Sequence, residues 1–292
     1  MKNFLIAARP KTLPASVIPP LLSYIYFYSR THRHEWFYLI LCVVGSLAIQ
    51  LATNFFNDVI DFEKGADKKR VGPTRVSAAG LVDIERVKVW AKAMLMITVL
   101  CGIPIVIRGG VYFLLLGFLS LYLTYGYTGG RISLAYHGLG ELFVFVFFGL
   151  FSTIGSYFLY AQTLALSDKA ELYSLGSIFG FLTMALIMVN NLRDRVFDAE
   201  VNKKTLATRL PEKAYRYLSI AVVFLPYTLL GFFTEYRFFA IMILGLPPAF
   251  QLANILLNKK GADLNDGLKF AGLHLIFFSL FLSFVFMNGY TI

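Results

Sequence analysis

The feature that most constrains this chain is a series of apolar runs too long and too continuous for a soluble fold. A spanning helix needs about 20 mostly apolar residues. Nine segments meet or approach that length: 13–30, 37–56, 90–107, 111–128, 139–162, 172–192, 215–233, 237–257 and 268–288. Composition agrees, with 58% hydrophobic and 15% charged residues, where soluble domains carry about 25% charge. The 29 Phe and 17 Tyr exclude disorder. A membrane barrel needs polar and apolar residues in alternation, and these runs do not alternate. Cys42 and Cys101 lie inside apolar runs and read as small core residues, not a disulfide. The expected fold class is all-α integral membrane, about nine transmembrane helices in one bundle, forming a single domain over 1–292. The first segment holds Pro14, Pro19 and Pro20, so a kinked or partly interfacial helix is expected there. Phe4–Ala8 is too short for the core of a cleaved signal peptide.

Charge sets the expected orientation. Threading nine spans through the chain leaves Arg30, Arg33, Arg108, Lys169 and Arg237 on one side and the other 22 of the 27 Lys and Arg on the opposite side. Basic loops stay in the cytoplasm, so the N-terminus is expected inside and the C-terminus outside. The net charge of +10 is then a membrane-surface signature, and no nucleic-acid motif accompanies it.

Acidic residues are not spread evenly. Ten of the 17 fall in the two long cytoplasmic loops. Asn54, Asp58 and Asp61 stand at i, i+4 and i+7, with Asp67 beyond the Gly65 turn. Asn190, Asp194 and Asp198 stand at i, i+4 and i+8. Each set shares one helix face at a C-terminal helix end, where the helix dipole disfavours carboxylates. Hard oxygen ligands in two such sets suit Mg²⁺, which binds through a few carboxylates plus phosphate oxygens and water. Asn57, Lys69, Arg70, Arg75, Arg193, Lys203 and Lys204 accompany them as candidates for diphosphate oxygens. Asp83, Glu85 and Glu212 read as solvated loop charges.

These residues resemble a known family. Asn54…Asn57-Asp58-x-x-Asp61…Gly65-x-Asp67 and Asn190-Asn191…Arg193-Asp194…Asp198 resemble the two aspartate-rich motifs of the UbiA-type membrane prenyltransferases. Four further stretches resemble the branch acting on 1,4-dihydroxy-2-naphthoate: Ala8–Ala15, Gly72–Val76, the mid-chain Tyr127–Gly130 with Leu134–Glu141, and Lys203–Ala207. The chain departs from that branch at Asn202, where glycine is usual, and at Arg131 and Ile132, where a proline-bearing turn is common.

The resemblance implies Mg²⁺-dependent transfer of a polyprenyl group from its diphosphate to the naphthoate, with loss of diphosphate and CO₂. It also implies a multi-pass protein of the cytoplasmic (inner) membrane with its site facing the cytoplasm and its isoprenoid tail among lipids. Catalysis then falls to Asp58, Asp61, Asp194 and Asp198, with Asn54, Asp67 and Asn190 as further metal ligands. Arg9 and Lys11 are candidates for the acceptor carboxylate. Tyr127 and Tyr136, with Tyr125, are candidates for aromatic contact. His137 and Glu141, one helical turn apart in sequence, are expected to pair near the acceptor. Two rivals are a related enzyme using 4-hydroxybenzoate or homogentisate, and a secondary transporter. Carriers tend to place ionisable groups near the membrane midplane, where these segments hold almost none.

Overall fold

The computed structural model describes residues 2–65, 72–130, 133–163, 166–233 and 238–289. Among these residues every regular element is helical. In chain order they are α1 (Lys2–Ala8), α2 (Pro14–Thr31), α3 (Trp36–Glu63), α4 (Ile84–Gly109), α5 (Val111–Gly126), α6 (Gly140–Val144), α7 (Ser152–Ala161), α8 (Leu166–Glu200), α9 (Leu206–Arg209), α10 (Glu212–Leu229), α11 (Phe238–Asn258) and α12 (Asn265–Gly289). Five segments have the length and apolarity to cross a membrane: Trp36–Glu63, Ile84–Gly109, Gly140–Ala161, Lys169–Glu200 and Gly261–Asn288. The other expected spans also fall on helices, α2, α5, α10 and α11, although α5 is only 16 residues long.

α2 stays helical through Pro19 and Pro20. Consecutive prolines remove two backbone donors, and bonds to α7 pin the segment in place. The Tyr160 hydroxyl donates to the Pro20 carbonyl at 3.2 Å, and Ser23 donates to the Thr153 carbonyl at 2.8 Å. α2 is thus wedged among α3, α7 and α12. α8 is the most buried candidate span and packs against α10 and α12.

α6 and α7 are joined by a π-helical stretch, Phe145–Phe151. Its Gly149 lies so near α8 that a Cβ there would sit 2.5 Å from the Gly176 carbonyl oxygen and the Gly180 Cα. Glycines at this crossing let the backbones touch. Widened turns of this kind recur at functional sites, and here the widened turn carries phenylalanines that line a cavity.

α1 lies across the ends of α3 and α4. Phe4 meets Phe55 and Trp90 edge-on, at 5.3 and 5.1 Å between ring centres. Ala7, Ala8, Phe55, Val59, Val76, Val87 and Ala91 form a second, smaller core beneath it. That core fixes the loop leading out of α3 and the chain leading into α2.

Candidate active site

A cavity of about 680 Å³ lies between α2–α5 on one side and α6–α8 on the other. Its body is apolar, walled by residues such as Ile49, Ile105, Leu116, Phe147 and Phe151. Its mouth is polar and lies at the ends of α3 and α8. Arg9, Lys11, Asn54, Asn57, Asp61, Arg75, Tyr127, Glu141, Asn190, Asp194 and Lys203 all line it. Four stretches far apart in sequence, around Arg9, Asp61, Tyr127 and Asp194, therefore converge on one opening.

On α3 the face toward the cavity is Ser46, Gln50, Thr53, Asn54, Asn57 and Asp61. At about 100° per residue, Asp58 lies about 80° around the helix from Gln50, on the flank. Asp58 is 1% exposed and does not line the cavity. Its two oxygens accept the backbone N–H groups of Val76 and Ser77, at 3.1 and 3.0 Å. The expected Asn54–Asp58–Asp61 face is thus divided: Asp61 faces the cavity and Asp58 anchors the 72–81 loop. That anchoring delivers Arg75, whose guanidinium donates to Asp61 at 2.7 Å. Asn54 donates to the Ala8 carbonyl at 2.9 Å and ties α1 to α3. The Asn57 amide oxygen accepts from the Thr128 hydroxyl.

On α8, Asp194 lines the cavity and takes a two-pronged bond from Arg193, at 2.8 and 2.7 Å. Arg193 is buried behind it and held by Asn265 at 3.0 Å. Asn190 lines the cavity and donates to the Leu186 carbonyl. Asp198 lies one turn further, 5% exposed. Lys203 approaches one of its oxygens at 3.5 Å, and the other is buried with no hydrogen-bond partner among the described residues.

The mid-chain loop closes the mouth. Lys64 donates to the Thr128 carbonyl at 2.7 Å and sits over the Tyr136 ring at 4.1 Å, with Lys203 at 5.5 Å from the same ring. Burial pulls the Lys64 ammonium below its ordinary range, against the opposing pull of Asp61. The Tyr136 hydroxyl points at Asp61, at 3.5 Å. From Tyr127 a file of rings leads down the cavity through Phe143, Phe147 and Phe151, with centres 5.3, 4.4 and 5.2 Å apart.

His137 and Glu141 do not pair. The one-turn spacing holds only on a continuous helix, and α6 begins at Gly140, after a turn at Gly138 with φ of 74°. His137 is exposed, with Nδ1 2.8 Å from the Ser133 carbonyl oxygen. Glu141 turns inward to Asn191 and Tyr215 instead. Lys204 and Tyr125 are also exposed. Asp67, Lys69 and Arg70 lie outside the described residues. The sequence reading assigned no role to Lys64, Thr128, Gln50, Asn191 or Tyr215. For Gln50 a signal was present, since polar residues recur at helical spacing along the apolar α3 run. At Asn202, where the family's glycine is missing, φ is 54°. Asparagine visits that left-handed region more readily than other non-glycine residues, so the turn out of α8 is kept.

Among the described residues no group of three or more His, Cys, Asp or Glu is arranged to hold a metal by itself. The donor set still fits Mg²⁺, which uses one or two carboxylates and leaves its other positions to phosphate and water. Asp61 and Asp194 face the cavity, and Asp198 keeps a buried oxygen without a partner.

Comparison with known proteins agrees with this architecture. The chain is 33% identical over 220 residues to the 1,4-dihydroxy-2-naphthoate octaprenyltransferase of Haemophilus influenzae, covering 72% of this chain and 70% of that protein. It is 33% identical over 222 residues to the Escherichia coli protein of the same name, covering 73% and 70%. It is 26% identical over 283 residues to that of Mycobacterium leprae, covering 95% and 94%. The fold matches a UbiA homolog from Archaeoglobus fulgidus bound to GPP and Mg²⁺, with a TM-score of 0.68 at 11% identity over 98% of this chain and 99% of that one. A UbiA homolog from Aeropyrum pernix K1 gives 0.67 at 13% identity, over 96% and 97%. The model of the UbiA prenyltransferase family matches residues 16–287, and the chain belongs to that family.

Proposed function

We propose that this protein transfers a polyprenyl group from polyprenyl diphosphate to 1,4-dihydroxy-2-naphthoate, releasing diphosphate and CO₂ and giving demethylmenaquinol. The observation that carries this reading is one cavity with two chemically distinct ends. Its mouth gathers Asp61, Arg75, Asp194 and Lys203, and its body is apolar and lined by phenylalanines. A diphosphate suits the first and an isoprenoid chain the second. The names of the Haemophilus influenzae and Escherichia coli relatives support the naphthoate as acceptor.

Arg75 and Lys203 offer cationic donors to the diphosphate oxygens, the stronger class of hydrogen bond. Asp61, Asp194 and Asp198 are the carboxylates that would hold Mg²⁺, with Asn57 and Asn190 beside them. A metal held there would supply positive charge against the negative charge that builds on the leaving diphosphate. Asp58 supports this set from behind through the 72–81 loop. As the allylic C–O bond lengthens, the electron-deficient carbon needs a dry surface of π density, and the file from Tyr127 to Phe151 supplies one. Arg9 and Lys11, at the mouth beside α2, are assigned to the naphthoate carboxylate.

The same reading sets topology. The chain is one polytopic domain of nine spans, with its N-terminus and the cavity mouth at the cytoplasmic face of the inner membrane. The direct test is mass spectrometry of products from purified protein in detergent with Mg²⁺, a polyprenyl diphosphate and a panel of aromatic acids. Prenylated product is expected from the naphthoate with no ion gradient. Product from 4-hydroxybenzoate or homogentisate alone would replace the acceptor assignment.

A further inference from the structure

Glu141 is a buried acid for which the reaction outlined above has no task. It is 4% exposed, stands at the start of α6 and lines the cavity. One carboxylate oxygen is doubly engaged, accepting from the Asn191 amide at 2.8 Å and from the Tyr215 hydroxyl at 2.8 Å. The other is buried with no hydrogen-bond partner among the described residues. A buried acceptor left unpaired is costly and calls for an explanation. Here two donors from α8 and α10 fix the carboxylate, so its second oxygen is presented in a set direction. The surroundings narrow what can meet it. The Tyr127 hydroxyl lies against Gly140, where a Cβ would sit 2.9 Å from it, so this is also where the file of aromatic rings begins.

Of the groups the proposed reaction brings to this cavity, the partner has to be one that carries an O–H or N–H donor. A diphosphate is an anion and a carboxylate repels it. An isoprenoid tail has no donor. An aromatic ring carrying a hydroxyl has both the flat face that Tyr127 and Phe143 suit and the O–H that the free oxygen needs.

We propose that the unpaired oxygen of Glu141 accepts a hydrogen bond from a phenolic hydroxyl of the aromatic acceptor and so fixes the orientation of its ring. Asn191 and Tyr215 are positioning residues for that carboxylate. The inference rests on the acceptor reading above only in requiring a hydroxyarene. It does not depend on which one.

The test pairs a protein change with a substrate change. Binding of 1,4-dihydroxy-2-naphthoate and its two monomethyl ethers is measured by calorimetry, together with kcat/KM, for the unaltered protein and for Glu141→Gln and Tyr215→Phe. One ether should bind the unaltered protein about 10- to 100-fold more weakly, the scale of a lost hydrogen bond to a charged group. In Glu141→Gln that penalty should shrink to about threefold or less, because the dihydroxy compound has lost the same bond. Tyr215→Phe should fall between. The KM for prenyl diphosphate should hold in both variants, which also reports an intact fold. An ether penalty unchanged in Glu141→Gln overturns the proposal, and so does a loss confined to the prenyl diphosphate. If the naphthoate neither binds nor reacts while another hydroxyarene does, the acceptor assignment fails. The ether comparison then runs on that compound with the same criteria.

Discussion

The two acidic motifs look alike in sequence, yet their surroundings differ. Each sends one aspartate into the cavity, and each of those is met by an arginine. Around Asp61 that arginine arrives from a loop 14 residues away, and the loop is held by Asp58 accepting two backbone N–H groups. Around Asp194 the arginine is the preceding residue, buried and fixed by α12 through Asn265. The outlying acids differ more. Asp58 has both oxygens bonded, whereas Asp198 has one long contact to Lys203 and an oxygen with no partner among the described residues. In the first motif Asp58 is therefore scaffold, spent on holding the loop that builds the mouth, while Asp61 is the charge that faces the cavity. The second keeps charge in reserve for a ligand.

The largest effect should come from the two cavity aspartates. Asp61→Asn and Asp194→Asn each remove a charge where negative charge builds on the leaving group. Turnover should fall about 10²- to 10³-fold, as when one preorganised electrostatic group is lost, with the protein still folded in detergent. A steady-state assay of both variants checks this. Near-normal turnover in either would break the symmetry claimed for these two residues.

Next is the acceptor. Replacing Arg9 or Lys11 by Met should weaken the naphthoate by about 1–3 kcal/mol, the scale of a charged hydrogen bond, with little change for the prenyl diphosphate. Separate KM titrations of the two substrates read this. If the diphosphate suffers instead, these cations belong to the motif side of the mouth.

The smallest effect most sharpens the contrast between motifs. In Asp58→Asn an NH₂ group must face a backbone N–H, and stability should fall by about 1–3 kcal/mol. Asp198→Asn removes a buried carboxylate whose one ion pair is a long 3.5 Å approach of Lys203, and it sets no NH₂ group against a backbone N–H, so stability should fall by less than in Asp58→Asn while turnover drops. Thermal unfolding in detergent compares the two. Equal destabilisation would mean that Asp198 is as structural as Asp58.

Much of this was legible in the sequence, and the failures have physical causes. Apolar runs located the helices because a long helix in lipid has to be apolar along its length. The motif spacings placed Asp61, Asn190 and Asp194 at one mouth because each lies on a regular helix. The spacing of Asp58 misled because a helical face is broad, and only the loop folded against it decides which edge meets the cavity. The His137–Glu141 pair failed for a related reason, since periodicity has no meaning across the Gly138 turn. Lys64 and Tyr215 reach the site through tertiary packing, and no local pattern announces them. The Phe145–Phe151 widened turn was equally invisible, because π geometry carries no distinctive spacing.

The central claim is that Asp61 and Asp194, on helices far apart in sequence, are two halves of one metal–diphosphate site. Calorimetry of prenyl diphosphate binding, with and without Mg²⁺, tests it on the unaltered protein, Asp61→Asn, Asp194→Asn and the double variant. Groups that act as a unit are non-additive. Each single change should therefore abolish most of the Mg²⁺-dependent gain in affinity, and the double variant should be no more than about threefold worse than the poorer single. Losses that multiply, or a Mg²⁺-dependent gain that survives in Asp194→Asn, would contradict the account.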